Sequence, residues 1–259
     1  MSDHTAIPPS TIPAIRPLER GALPRLLRAG WRDFMRAPQF GLFFSLVYVL
    51  GGWALYHVFV ASGSYLWFIP VAVGFPILAP FAAVGLYEVS RRLEQGLALN
   101  WRDVLICVWQ QKDRQVPSMS VVILLIFMFW VFVAHTLFAL FFGMQAFTGS
   151  APELLMTRNG LMMLGLGTVI GGAMAAAVFA LTVISLPLLL DRELDFVTAM
   201  ITSVSAVMAS RVAMVLWAGV VALSLAAAMV PGFLGLFVAL PVLGHATWHL
   251  YREVLPDEC

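Results

Sequence analysis

The chain has 259 residues, of which 61% are hydrophobic and only 11% charged, and its mean hydropathy is +0.91. A soluble domain carries about 25% charged residues, so this chain has too few polar side chains to cover a soluble globule. Its aromatic content excludes a disordered chain. The net charge of +1 conceals an uneven distribution, because the fifteen basic residues lie almost entirely between apolar runs.

In chain order, residues 1–19 are rich in proline, serine and threonine up to Pro17 and contain no apolar signal core, which predicts a disordered cytoplasmic tail. Between Leu23 and Arg36, Arg25, Arg28, Arg32 and Arg36 recur at three and four residues, and Leu27, Trp31, Phe34 and Met35 take another face. That pattern is a basic amphipathic helix suited to the headgroup level.

A transmembrane helix needs about 20 apolar residues. Six stretches qualify: Phe40–Val60, Leu66–Val89, Met119–Phe142, Leu161–Leu190, Val212–Met229 and Phe233–Tyr251. The last two are joined by the turn Val230-Pro231-Gly232. Two further amphipathic helices are expected at Asn100–Arg114, with Trp101, Val104, Leu105, Val108 and Trp109 on one stripe, and at Asp195–Ser210. Asn100 and Asp195 are their expected N-caps.

Placing the N-terminus in the cytoplasm leaves only Arg158 of the fifteen basic residues outside. The positive-inside rule therefore orients both termini inward, with both cysteines, Cys107 and Cys259, on the reducing side. The expected fold is an all-α polytopic bundle of six transmembrane helices and three cytoplasmic interfacial helices. It forms one membrane domain over residues 20–255, followed by a short cytoplasmic tail at 256–259. Trp31-Arg32-Asp33-Phe34 and Trp101-Arg102-Asp103-Val104 are similar, and Asp195-Phe196 keeps part of the string. The chain thus reads as three units, each an interfacial helix and two spans. A basic helix before any span would look the same, so the repeat stays open.

Pro70, Pro76, Pro80, Pro187 and Pro241 fall inside spans and free carbonyls that neighbours must satisfy. Gly167-Thr168-Val169-Ile170-Gly171, followed by Gly172 and alanines, permits close approach of a helix from this chain or another subunit. No Lys, Arg, Asp or Glu lies near the centre of a span, which argues against an ion-coupled pump. His57 and His135 fall in the outer leaflet. His245 and His249, four apart on one face near the inner end of the sixth span, are the residues that could hold a metal ion or serve as a haem ligand. No further ligands accompany them, so no metal or cofactor is expected. In the simpler reading His249 sits at the interface, and His245 bonds to Glu88 or to a proline-freed carbonyl. Glu88, Asp191 and His245 form the expected inner-face polar cluster.

No nucleophile elbow, P-loop, dinucleotide fingerprint or C-x-x-C occurs. The expected partners of the basic helices, through Arg25, Arg28, Trp31, Arg32, Trp101 and Trp109, are the bilayer and its anionic headgroups, not nucleic acid. Three strings, Gly85-Leu86-Tyr87-Glu88-Val89-Ser90-Arg91-Arg92-Leu93-Glu94, Ser185-Leu186-Pro187-Leu188-Leu189-Leu190-Asp191-Arg192 and Gly244-His245-Ala246-Thr247-Trp248-His249-Leu250-Tyr251-Arg252, resemble a family of bacterial integral membrane proteins, the domain of unknown function 2189. The resemblance covers most of the chain after about residue 20. It implies a bacterial inner-membrane location and no established activity. Some members are labelled as relatives of cytochrome c oxidase subunit I, but this chain lacks the deep histidines that two haems and a copper ion require. The expected function is that of a non-enzymatic accessory or assembly component of a membrane complex, working with a membrane-protein partner or a second copy. A transporter of a small uncharged or amphipathic compound is the first alternative, and a haem- or metal-binding redox protein the second.

Overall fold

The computed structural model describes residues 14–19, 21–60, 68–143 and 156–256. The expected tails at 1–13 and 257–259, with Cys259, lie outside these residues, as do the first two residues of the expected second span. Among the described residues there are ten α-helices and no strand. They are α1 (Ala22–Arg36), α2 (Pro38–Val60), α3 (Phe68–Glu94), α4 (Trp101–Gln110), α5 (Val116–Phe142), α6 (Arg158–Thr182), α7 (Ser185–Asp191), α8 (Phe196–Ala209), α9 (Arg211–Met229) and α10 (Leu236–Val254). A short 3-10 turn, Gln111–Asp113, leads into α5.

Local chemistry explains several boundaries. Pro117 sits in the first turn of α5, where its missing N–H costs nothing. Thr157 caps α6 by accepting from the Gly160 amide at 3.1 Å, and Asp195 caps α8 as expected, accepting from the Thr198 amide at 2.8 Å. Asn100 occupies the N-cap position of α4 but makes no side-chain cap. Its amide instead donates to Asp103 at 3.3 Å.

The expected fourth span is broken at Val183–Ile184, one turn before Pro187, into α6 and α7. Proline clashes with the carbonyl four residues earlier, which places the break there. Ser203 on α8 staples it. Its hydroxyl accepts from the Ile184 amide at 3.1 Å and donates to the Ala180 carbonyl at 2.7 Å. Ser203 thus satisfies the Ile184 amide and the Ala180 carbonyl left unpaired at the break.

The element order repeats three times as a short helix followed by two long ones, and the packing follows a cycle. The long helices pair as α2 with α3, α5 with α6, and α9 with α10. Their second members meet one another, α10 against α3 and α7 against both. Each short helix lies on the second member of the preceding pair: α4 on α3, α8 on α6 and α7, and α1 on α10. The tripeptide similarity does not follow this geometry. Asp33 sits late in α1, Asp103 in the first turn of α4 and Asp195 before α8.

Helix α1 runs antiparallel along α10. Arg25 pairs with Glu253 at 2.7 Å. Further along, a methyl group placed on Gly30 would lie 2.7 Å from the Ala246 amide nitrogen and 2.8 Å from its Cβ. The buried face of α1 is Ala22, Leu23, Leu26, Gly30, Asp33 and Phe34, whereas Trp31 and Met35 are exposed. This corrects the expected apolar stripe, because the small Gly30 sets the line of closest approach. Residues 14–19, expected as tail, also lie on the body. The Arg16 amide donates to the Val254 carbonyl at 2.9 Å, and the buried Leu18 amide donates to Ser210 at 2.7 Å.

The main core joins the helices at one end of the bundle, through residues such as Ile184, Leu188, Met214, Trp217, Leu250 and Val254. Elsewhere α5, α6 and α9 expose large apolar side chains, among them Leu125, Phe129, Phe132, Val169 and Leu223. Among the described residues, four segments are long and apolar enough to cross a membrane: Pro38–His57, Val116–Phe142, Arg158–Asp191 and Arg211–Met229. The expected second and sixth spans coincide with α3 and α10. Their C-terminal turns carry Glu88, Arg91, Arg92 and Glu94, and His245, His249 and Arg252, respectively.

Candidate functional site

At one end of the bundle α1, α3, α7 and α10 enclose a polar layer inside otherwise apolar packing. Its centre is Asp33, brought from α1 and 2% exposed. Its Oδ2 accepts from the Ser90 hydroxyl at 3.0 Å and from His249 Nε2 at 2.7 Å. Ser90 Oγ is also 2.7 Å from Nδ1 of the fully buried His245. A serine hydroxyl has one proton, and here Asp33 receives it. His245 Nδ1 must therefore carry its own proton and donate to Ser90. The result is a continuous chain, His245–Ser90–Asp33–His249, that ties three helices together. Burial pushes the Asp33 carboxyl up, but the hydrogen bonds from His249 and Ser90 outweigh it and hold the group below the usual carboxylate range.

Three further carboxylates complete the layer. Glu94 accepts from Trp248 Nε1 at 2.9 Å and from Arg252 at 3.1 Å. Asp191 accepts from the Tyr251 hydroxyl at 2.7 Å and lies 3.7 Å from Arg252. Arg252 thus bridges the ends of α3 and α7. Glu88, buried on α3, is held by Arg91 at 2.6 Å and Arg92 at 2.8 Å. Arg92 continues to Asp103 at 3.3 Å and to the Ala98 carbonyl at 3.0 Å.

Glu88, Asp191 and His245 are therefore buried or half-buried at one end of the bundle, but each bonds a different set of partners. His245 bonds to Ser90, not to Glu88 and not to a proline-freed carbonyl. Asp33, Ser90, Glu94 and Tyr251 were not singled out from the sequence. The available signal was Gly30 and Asp33 on the same turn-spaced stripe as Leu23 and Leu26, a pattern that marks close, polar-locked helix contact.

Ser90 and His245 are in hydrogen-bond reach, but both are fully buried and the serine proton is committed to Asp33. No group of three or more metal-ligating side chains occurs among the described residues. His245 and His249 turn to Ser90 and Asp33 and not toward a shared coordination point. Of the other described histidines, His57 is exposed, and His135 bonds the Val131 carbonyl one turn back at 2.8 Å. Cys107 on α4 is partly buried. Burial first, and then the nearby Glu88, push its thiol up to about 11.

Trp31, Trp101 and Trp109 are exposed, as are Arg25, Arg28 and Arg32. Trp101 also packs on Phe40 and Phe43 at ring distances of 4.1 and 5.2 Å. A groove of about 530 Å³ opens between α5 and α6, lined by Trp130, Leu137, Phe138, Gly167, Gly171 and Gly172 among others. Gly171 lets the Trp130 indole approach, since an added methyl would meet it at 2.8 Å, while Gly172 faces open space. The glycine stripe therefore has an internal partner on one side only.

Residues 68–191 match the family described as predicted integral membrane protein, domain of unknown function 2189. The first of the three strings falls inside the match, the second does so up to Asp191, and the third lies beyond it. No curated protein and no solved structure matches the chain.

Proposed function

We propose that this protein is a six-span, non-enzymatic component of the bacterial inner membrane, with both termini cytoplasmic, that accompanies or helps assemble a larger membrane complex. The observation that carries the reading is the contrast between its two halves. The inner ends are locked by mutually paired polar groups, whereas α5 and α6 present large apolar faces that the chain itself hardly buries. A rigid inner platform with a largely unpacked helical hairpin suits docking against another membrane helix better than turnover of a substrate. In hydrocarbon such docking rests on close van der Waals packing, for which Gly165 and Gly172 leave open space.

The count of six adds α3 and α10 to the four strongly apolar helices. It is supported by the pairing of each with an apolar neighbour, α2 and α9. The test is purification of the full chain in mild detergent, with its membrane partners identified by mass spectrometry. A reproducible partner lost on replacing Gly165 and Gly172 by leucine is the expected result. A lone protomer from both proteins would defeat the reading.

A further inference from the structure

The outward face of α1 carries charge of one sign. Arg25, Arg28, Arg32 and Arg36 are all exposed, while the helix's single carboxylate, Asp33, is turned inward and held by His249 and Ser90. Arg25 has a counterion in Glu253. Arg28, Arg32 and Arg36 have no acceptor among the described residues. They are spaced i, i+4, i+8, so their guanidinium groups stand in one row about 12 Å long at 1.5 Å per residue. Like charges at that spacing repel and weaken an isolated helix. The row is nevertheless built onto a helix whose other face is fixed to α10 at Gly30 and Asp33. Between the arginines, Trp31 and Met35 are 48% and 58% exposed. A water-facing ridge has no use for either side chain, whereas a headgroup layer accommodates both the cations and the apolar tips.

We infer that the Arg28–Arg32–Arg36 row is a docking site for anionic phospholipid headgroups, with the guanidinium groups on lipid phosphates and Trp31 and Met35 among the upper acyl carbons. The inference rests on the inward orientation of the N-terminal region proposed above, and it identifies the counterion of this surface as lipid. Each arginine near an anionic surface contributes about fivefold in affinity at low salt, so the row is worth roughly 100-fold. Because α1 is locked along α10, bound headgroups would also fix the outward side of the same clasp that holds its inward side.

The test uses the full chain in mild detergent, with phosphatidylglycerol or phosphatidylcholine added and the retained lipids counted by native mass spectrometry. The wild-type protein is expected to retain phosphatidylglycerol over phosphatidylcholine. In the R28Q/R32Q/R36Q variant this preference should fall by roughly 100-fold. The R28K/R32K/R36K variant should keep most of it, and high salt should reduce it in the wild type. The R25Q variant, whose arginine faces Glu253, should lose little. Equal retention of the two lipids, or a preference unchanged in R28Q/R32Q/R36Q, overturns the inference. So does displacement of phosphatidylglycerol by inorganic phosphate alone, which would mark a small-anion site. Circular dichroism of each variant separates loss of the site from loss of the fold. Cysteine accessibility of α1 in sealed vesicles reports separately on the inward orientation.

Discussion

Replacing Asp33 by alanine tests whether α1 is part of the folded body or only lies beside it. The carboxylate is 2% exposed and accepts two hydrogen bonds, at 2.7 Å from His249 and 3.0 Å from Ser90. A hydrogen bond to a charged acceptor is worth about 1.5–3 kcal/mol. Removing one member of a buried polar pair costs about 3–5 kcal/mol, since the partners stay buried without an acceptor. D33A should therefore destabilise the protein by about 3–5 kcal/mol, and D33N, which keeps the shape and loses the charge, by about 1–2 kcal/mol. The assay is unfolding of the detergent-solubilised chain by sodium dodecyl sulfate, followed by helical circular dichroism. A double-mutant cycle of D33A with H249A should show a coupling of about 1–3 kcal/mol. A D33A protein as stable as the wild type, or strict additivity in the cycle, would refute the clasp.

The same assay run against pH checks the sign of the Asp33 shift. Its native carboxyl lies below its ordinary value of 3.8, so its contribution is fully present above that value and is lost as pH falls through the lowered native value. The stability gap between wild type and D33N should be constant near neutrality and shrink in strong acid; a gap that grows on acidification contradicts the assignment. G30A should cost about 1–3 kcal/mol in the same unfolding assay, because its methyl group meets the backbone of α10 and not a movable side chain. S203A leaves the Ile184 amide and the Ala180 carbonyl without their partner at the α6–α7 break and should cost about 1–3 kcal/mol, read by the same unfolding curve. Cys107, with its thiol raised from 9.0 to about 11, should react with iodoacetamide at pH 8 about 100-fold more slowly than an exposed thiol. An ordinary rate would show that the Cys107 side of α4 does not pack against α3.

The features legible in the sequence were those written in a single helix. Runs such as Val116–Phe142 and Arg211–Met229 declare themselves by hydropathy and Asp195 by its place before a periodic stretch, whereas the α6–α7 break falls inside a run, Leu161–Leu190, that reads as one span. The site was legible only in its address. Glu88, Asp191 and His245 were expected together; Glu88 pairs within its own helix, but Asp191 and His245 find partners 60 and 155 residues away, and Asp33 meets His249 across 216 residues. No local pattern carries such pairings. Asp33 was hidden for a second reason: a basic amphipathic helix with an acid among its arginines looks like a solvated face until Gly30 is seen to draw that side onto α10.

The central claim, a six-span protein whose polar lock faces the cytoplasm, is tested most directly by single-cysteine accessibility in sealed inner-membrane vesicles. In a background of C107A and C259A, cysteines at Ala98, Glu193 and Ser205 should react only with reagent on the cytoplasmic side, and those at Met156 and Val230 only from the opposite side. Labelling of Ala98 and Met156, or of Ser205 and Val230, from the same side would contradict the account.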